Sequence, residues 1–411
     1  MNKVITVVEF DKLYPTDDAQ KIGERVGKKV YISTKDFEAL KSFVSQNENF
    51  RYLDFVKGGK GLQAKQFVGV IETKSGTVLE ILPKITTDNI EVNKKVFLKM
   101  LRRLKDTKFH KLPNTSINTG KMHLLDVFIK MFADEVAQLV KKGIVSDYLL
   151  IEENLYYLKG KLKVKENFQQ NKMNKERFYV AYDRYDPNRM ENRIIKSALQ
   201  FLLTKSRSFE VKRHLKELLF VFDDIKPIRN PKEAFKILRS DRRVKHYKQT
   251  LRWAKLFLSG NTMTTFKGKE VAYAILFDMN RVFEDYVAYR LKKDYPELSI
   301  KTQHSSKHLL ESPNALFKLR PDLLLGDNMI ADTKWKLLDE KSKRYGLSQS
   351  DLYQLYAYGK KYKNREKLFL IYPKSEGFTT SKIEPLQYEA NMPLKLLCFD
   401  CDKDEIVGNW L

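Results

Sequence analysis

With 411 residues, 42% of them hydrophobic and 12% aromatic, the chain can fill more than one core, and two or three domains are expected. Its 77 Lys and Arg against 52 Asp and Glu give a net charge of +25, which favours a polyanionic partner such as DNA. No apolar stretch approaches the roughly 20 residues a membrane-spanning helix needs, and the N-terminus lacks the apolar segment of a signal peptide, so a soluble, cytoplasmic protein is expected.

Residues 1 to 85 alternate apolar runs of strand type with turns, among them Lys29-Val30-Tyr31-Ile32-Ser33 and Phe67-Val68-Gly69-Val70-Ile71, and predict a β-rich module. Gly58-Gly59-Lys60-Gly61 reads as a hairpin turn. Gly23-Glu24-Arg25-Val26-Gly27-Lys28-Lys29 superficially matches a phosphate loop, but its spacing is one residue short and Lys stands where Ser or Thr is required, so no NTP hydrolysis by this chain is expected. Residues 88 to 150 read mainly as helices, and Leu124 to Ala133 is too apolar for a surface helix, which predicts burial. Helical patterning resumes from Asn192 to Ser259, broken at Lys226-Pro227-Ile228-Arg229-Asn230-Pro231, and Gly260-Asn261-Thr262 reads as a boundary. The expected divisions are an N-terminal region 1–170, a helical middle region 171–262 and a C-terminal domain 263–411.

Within the last division, Leu276 to Leu291 repeats apolar residues at helical spacing. Glu284 sits on that pattern with Asn280, Val287, Ala288 and Leu291 as helical neighbours, at the edge of the apolar face. Further on, Leu323-Leu324-Leu325 and Met329-Ile330-Ala331 are short strands separated by the turn formers Gly326, Asp327 and Asn328. If those three residues form the loop, Leu325 pairs with Met329 and Asp322 falls opposite Asp332, with Lys334 on the same face. Two carboxylates so placed repel unless something neutralises them, and a hard divalent cation with oxygen ligands, Mg²⁺ above all, suits such a pair. A bare Asp…Asp-x-Lys match is otherwise an ordinary charged hairpin, and a one-residue slip of register would separate the two acids.

The flanks decide between these readings. Ser348 and Asp351 have the spacing of a capping box, and a helix follows in which Gln354 and Tyr358 share one face. Leu368-Phe369-Leu370-Ile371-Tyr372 reads as a buried strand. A helix with an acid, strands with Asp322 and Asp332-Thr333-Lys334, a helix with Gln-x-x-x-Tyr and a final strand resemble, in that order, the PD-(D/E)xK nucleases, a mixed α/β (α+β) fold in which helices flank a mixed sheet. Pro321-Asp322 and Asp332-Thr333-Lys334 match the defining motif, and Gln354 to Tyr358 resembles the element of its RecB-like branch.

The resemblance narrows further to the McrC family. It is carried by Phe67 to Ile71, Gly76 to Ile85, Glu153 to Leu162, Tyr182-Asp183-Arg184-Tyr185, Glu191 to Lys196 and the Phe283-Glu284 helix; the first fifty or so residues match nothing in it. The resemblance implies the nuclease subunit of a modification-dependent restriction system, acting in a hetero-oligomer with a McrB-like AAA+ GTPase that the N-terminal region would bind. It implies Mg²⁺-dependent cleavage of double-stranded DNA. Asp322 and Asp332 would hold the metal with the Thr333 carbonyl, Glu284 would be a third acid, Lys334 would orient water or stabilise charge, and Gln354 and Tyr358 would support them. An autonomous repair-type nuclease and a non-catalytic assembly or GTPase-activating subunit are the alternatives.

The remaining candidates are weaker. Cys398 and Cys401 lack the further ligands a structural zinc needs and read as reduced residues at a terminal strand. His304 and His308 fall in a Lys/Ser-rich stretch that reads as an exposed loop. Arg239, Arg242, Arg243, Lys245 and Lys248, and separately Lys360, Lys361, Lys363, Arg365 and Lys367, are clusters available to phosphates, although charge runs are usually solvated faces.

Overall fold

A computed structural model describes residues 3–46, 52–56, 58–85, 89–104, 122–238, 242–258, 271–312, 314–362, 367–389 and 392–410. The expected boundary at Gly260-Asn261-Thr262 and the basic residues Arg239, Lys363 and Arg365 lie outside these. The fold is the expected mixture of helices and mixed sheets. Residues 1–124 and 260–411 form one compact unit and residues 125–259 the other.

In the first unit the N-terminal β-rich module is present as two sheets. Leu53–Val56 and Gly61–Ala64 make the hairpin expected around Gly58 to Gly61 and belong to a five-stranded sheet with Lys12–Thr16, Lys29–Ser33 and Arg25–Val26. The second sheet has the order Val4–Val8, Val78–Leu82, Phe67–Thr73, Val271–Asp278. Its last strand lies about 200 residues after the others, as the numbering alone shows, and pairs antiparallel with Phe67–Thr73. The sequence placed Leu276 and Phe277 in a helix; they end this strand instead. Three consecutive apolar residues satisfy either periodicity, and pairing with Val68 and Gly69 decides for the strand.

The strand runs straight into the helix Met279–Asp294, whose N-terminus is capped by Asp278 accepting from the Asn280 N–H at 3.0 Å. Val282, Phe283, Tyr286, Val287 and Leu291 line its buried face. Phe283 packs on Trp335 and Phe399 with ring centroids 5.3 and 6.0 Å apart, and burying such a side chain contributes roughly 1.5–3 kcal/mol.

That face covers a seven-stranded mixed sheet running Lys301–Thr302, Leu323–Leu325, Met329–Thr333, Lys367–Pro373, Pro393–Asp400, Lys382–Gln387, with Glu405–Ile406 beside Pro393–Asp400. The hairpin register is the one read from sequence: Leu325 opposite Met329, Leu324 opposite Ile330, Leu323 opposite Ala331. Met329–Thr333 then runs parallel to Lys367–Pro373, and both are buried nearly throughout, as apolar runs in a doubly covered parallel sheet should be. Leu324, Ile330, Leu368 and Leu370 pack with Leu355 and Tyr358 of the helix Gln349–Lys361, which covers the opposite face.

That helix begins where expected, with Ser348 as N-cap, but no capping box forms. Ser348 Oγ lies 2.7 Å from Ser350 Oγ, and Asp351 is drawn to Lys336 Nζ at 2.5 Å. The stretch around His308 is likewise not a loop: Lys307–Leu310 and Leu316–Leu319 form a separate two-stranded hairpin. Cys398 lies in the strand Pro393–Asp400 and Cys401 directly after it; both are buried and reduced. Burial pushes the Cys398 thiol up to about 12 and raises Cys401 as well, which leaves neither as a thiolate.

The second unit holds an antiparallel sheet of Lys161–Leu162, Phe178–Asp186 and Asp147–Leu155, with helices Leu124–Lys141, Met190–Lys205, Phe209–Val221 and Lys248–Leu258. Phe128, Ile129 and Phe132 are fully buried, as the apolar run predicted. No helix among the described residues is long and apolar enough to cross a membrane.

Candidate functional site

Alternation along Met329–Thr333 sends Ile330 and Asp332 to the face covered by Gln349–Lys361, and Lys334 follows two residues on. Asp332 is 2% exposed, one charged group in an otherwise apolar buried strand. Lys334 Nζ stands 2.5 Å from its Oδ2, yet no directed hydrogen bond reaches that oxygen among the described residues. Burial above all, with the charge of Asp322 adding to it and Lys334 pulling it back, raises the Asp332 carboxyl to about 7. For Lys334 burial disfavours the charged form, but Asp332 and Asp322 outweigh it and hold the ammonium above its ordinary value.

Asp322 enters from the residue before Leu323, beyond the last paired position of the hairpin. Its Oδ2 accepts from both the backbone N–H and the hydroxyl of Thr333, each at 2.8 Å. Thr333 therefore meets Asp322 through its donors, whereas the sequence singled out its carbonyl. On the helix side, Lys334 Nζ donates to Gln354 Oε1 at 3.0 Å, Gln354 Nε2 donates to Tyr358 Oη at 2.8 Å, and Tyr358 donates to the Arg320 carbonyl at 3.1 Å. Burial and the nearby Asp332 charge push the Tyr358 phenol up to about 12, so it stays a neutral donor. Gln354 and Tyr358 share one helical face, as their spacing predicted, and from it Gln354 accepts from Lys334.

Glu284, half-buried on its helix, is joined to the site by a residue that sequence reasoning missed. Gln303 Nε2 donates to Glu284 Oε1 at 2.6 Å and lies 3.4 Å from Asp322 Oδ1, while the Gln303 N–H donates to the Asp322 carbonyl at 3.0 Å. Its φ of 51° is left-handed, a conformation that costs a residue with a side chain about 1 kcal/mol or more and tends to be kept at functional positions. The non-glycine residue at positive φ was the structural signal; nothing in Lys-Thr-Gln-His announced it. All six candidates, Glu284, Asp322, Asp332, Lys334, Gln354 and Tyr358, are therefore brought together. Among the described residues no three acidic, histidine or cysteine side chains form a ready cation cage, and Glu284 meets Asp322 through Gln303.

Part of the basic clusters is spent on local pairs. Lys360 meets Glu389 at 2.5 Å, Lys361 meets Glu311 at 3.4 Å and Arg243 meets Asp147 at 2.9 Å. His304 Nε2 lies 2.9 Å from Ser306 Oγ and takes no part in the acidic site.

A mixed sheet with helices on both sides, carrying Asp322, Asp332 and Lys334 at the end of its hairpin, makes this a mixed α/β protein. A family model described as "McrBC 5-methylcytosine restriction system component" matches residues 62–373, and the chain belongs to that family. No curated protein matches. Among solved structures, the fold is similar to a chain of the refined half-complex from a tetradecameric assembly of Thermococcus gammatolerans McrB AAA+ hexamers with bound McrC, at 19% identity over 98% of each chain and a TM-score of 0.68. A chain of the Thermococcus gammatolerans McrBC complex is matched at 20% identity over 69% of this chain and 86% of that one, with a TM-score of 0.48.

Proposed function

We propose that this restriction-system component is its DNA-cleaving subunit, a Mg²⁺-dependent endonuclease acting on double-stranded DNA. The observation that carries the reading is a pair of bonded chains, Glu284 through Gln303 and Asp322 to Thr333, and Asp332 through Lys334 and Gln354 to Tyr358, which adjoin where Asp332 precedes Thr333. The donor set fits a hard cation. It offers only oxygens, one of them a buried Asp332 oxygen with no directed hydrogen bond, and its two carboxylates disfavour each other's charge. Asp322 and Asp332 would hold the ion, with the Thr333 carbonyl and Glu284 as further ligands. Mg²⁺ there would supply charge neutralisation and an activated water for phosphodiester hydrolysis.

The chain's own residues have distinct tasks. Lys334 places an ammonium beside the carboxylates, where it orients the attacking water and stabilises the charge developing on phosphate. Gln354 holds that ammonium in place, and Tyr358 holds Gln354 by way of the Arg320 carbonyl. Thr333 fixes the Asp322 carboxylate.

Because the family's systems have several components and the similar McrC chain is bound to McrB AAA+ hexamers, we infer a hetero-oligomeric complex in which a McrB-like GTPase consumes GTP, is stimulated by this chain and selects modified DNA. The test is plasmid cleavage by the purified chain with Mg²⁺, with and without that GTPase and GTP. Cleavage that needs both partner and GTP supports the reading. Cleavage by the chain alone supports the autonomous nuclease, and GTP turnover stimulated without any cleavage supports the non-catalytic subunit.

A further inference from the structure

Directly before Arg320-Pro321-Asp322 the chain forms an arm. Lys307–Leu310 and Leu316–Leu319 pair with each other, Lys307 opposite Leu319, His308 opposite Lys318 and Leu310 opposite Leu316, and among the described residues with no other strand. From Leu309 to Lys318 every described residue is exposed. Leu309, Leu310, Leu316 and Phe317 are 42, 47, 50 and 69% accessible. A two-stranded hairpin is marginal in water, and one that also displays four large apolar side chains is accounted for by a surface that covers them.

The arm is rooted in the candidate site. Tyr362, the residue after the helix Gln349–Lys361, donates to the carbonyls of His304, three residues before the arm, and of Leu319, at its end, at 3.2 and 3.5 Å. Leu319 is buried in the core beneath the sheet. The second strand is strained as well as exposed, for Phe317 has φ 55° in the left-handed region.

Its charge selects the occupant. Lys307, Lys318 and Arg320 are exposed, and the single acid of residues 303–320, Glu311, is paired with Lys361 at 3.4 Å. Apolar side chains framed by cations are what minor-groove proteins present, wedging between base steps while Lys and Arg meet phosphates. A second copy of the chain would bring like charges against this frame. The five residue steps from Phe317 to Asp322 span at most about 17 Å at roughly 3.3 Å each, which is about five base steps at 3.4 Å. We propose that the hairpin 307–319 is a DNA-contacting arm that inserts Leu316 and Phe317 at a base step a few pairs from the phosphate presented to Asp322 and Asp332. Its position relative to the cut rests on the nuclease reading; its contact with duplex does not.

The test measures binding of a fluorescent duplex by the full-length Asp332→Ala chain, so that no DNA is cut, with and without Leu316→Ala and Phe317→Ala. Losing an aromatic that contacts bases should weaken binding roughly tenfold, with an unchanged melting temperature because these side chains bury little. A 2-aminopurine in the duplex should brighten with the parent and not with the arm variant. Equal affinity and equal fluorescence, a parent that binds no duplex, or a change from dimer to monomer with DNA affinity kept would each overturn the proposal. If the arm variants lose binding while the wild-type chain, assembled with the GTPase partner, GTP and Mg²⁺, cleaves nothing, the nuclease reading fails and the arm stands; if they bind as the parent while that assembly cleaves, the reverse holds.

Discussion

Trp335 and Glu9, 326 positions apart, are joined by the indole N–H, which donates to both carboxylate oxygens at 3.1 and 2.9 Å. Trp335 follows Lys334 directly, and the Lys84 N–H closes on the same carboxylate at 3.0 Å. The N-terminal strands are thus tied to the candidate site from behind. Complete burial pushes Glu9 up to about 8, with its hydrogen bonds from Trp335 and Lys84 pulling it back.

A carboxyl raised in the folded state keeps its proton where the unfolded chain has lost it. The stability it contributes is therefore fully present below its ordinary 4.5 and falls as pH rises to about 8. Glu9→Gln keeps an acceptor for Trp335 and removes the titration. Melting temperatures measured across that interval should decline more steeply for the wild type than for the variant; parallel curves would contradict the assignment.

Gly69 lets the N-terminal sheet carry the strand that launches the Glu284 helix. Its φ is +149°, and a Cβ there would lie 2.0 Å from the Ile275 carbonyl oxygen. Gly69→Ala should cost on the order of 3 kcal/mol, from backbone strain and a clash that only strand separation relieves. Denaturant unfolding checks the loss, and a stability within error of wild type would show that the pairing accommodates a methyl group.

Gln303→Gly separates backbone strain from side-chain function. Glycine accepts φ 51° freely but loses conformational entropy, two effects of about 1 kcal/mol that nearly cancel. The fold should hold while Glu284 loses its link to Asp322, and cleavage per folded molecule should drop roughly tenfold, the 1.4 kcal/mol of one hydrogen bond to a charged group. Unchanged turnover in the variant would remove Gln303 from the site.

Below about 7 the Asp332 carboxyl is protonated, and a cation must displace that proton. Mg²⁺ affinity should therefore rise with pH toward about 7, close to tenfold per unit, and level off above it. Calorimetric titration in two buffers of different ionisation enthalpy should detect proton release at pH 6 and little at pH 8. Release that does not depend on pH would mean that Asp332 is not the titrating ligand.

The hairpin and its register were legible because three turn formers stand between two apolar triplets, although pairing stops at Leu323 and Ala331, one position short of Asp322 and Asp332. Gln354 and Tyr358 were legible from helical spacing. Gln303 was not, because its role depends on a left-handed backbone and on two acids distant in sequence. Glu9 was not, because a lone acid among N-terminal strands carries no sign of a tryptophan 326 positions away. The Ser348 and Asp351 spacing misled for a related reason: Lys336, invisible to a local motif, competes for Asp351 and wins it. Local chemistry thus fixed the elements, while the links between them lay in contacts that no window of sequence contains.

The central claim is that Asp332 serves cleavage rather than folding. The decisive measurement compares wild-type chain and Asp332→Asn, each assembled with the GTPase partner, in Mg²⁺-dependent plasmid cleavage alongside thermal unfolding. The amide of equal shape relieves the repulsion with Asp322 but leaves Lys334 without its partner, so the chain should still fold, at some loss of stability, while cleavage per folded molecule falls by on the order of 10³-fold, as on removing an electrostatic group from a catalytic centre. Cleavage that persists in a folded Asp332→Asn chain would contradict the account.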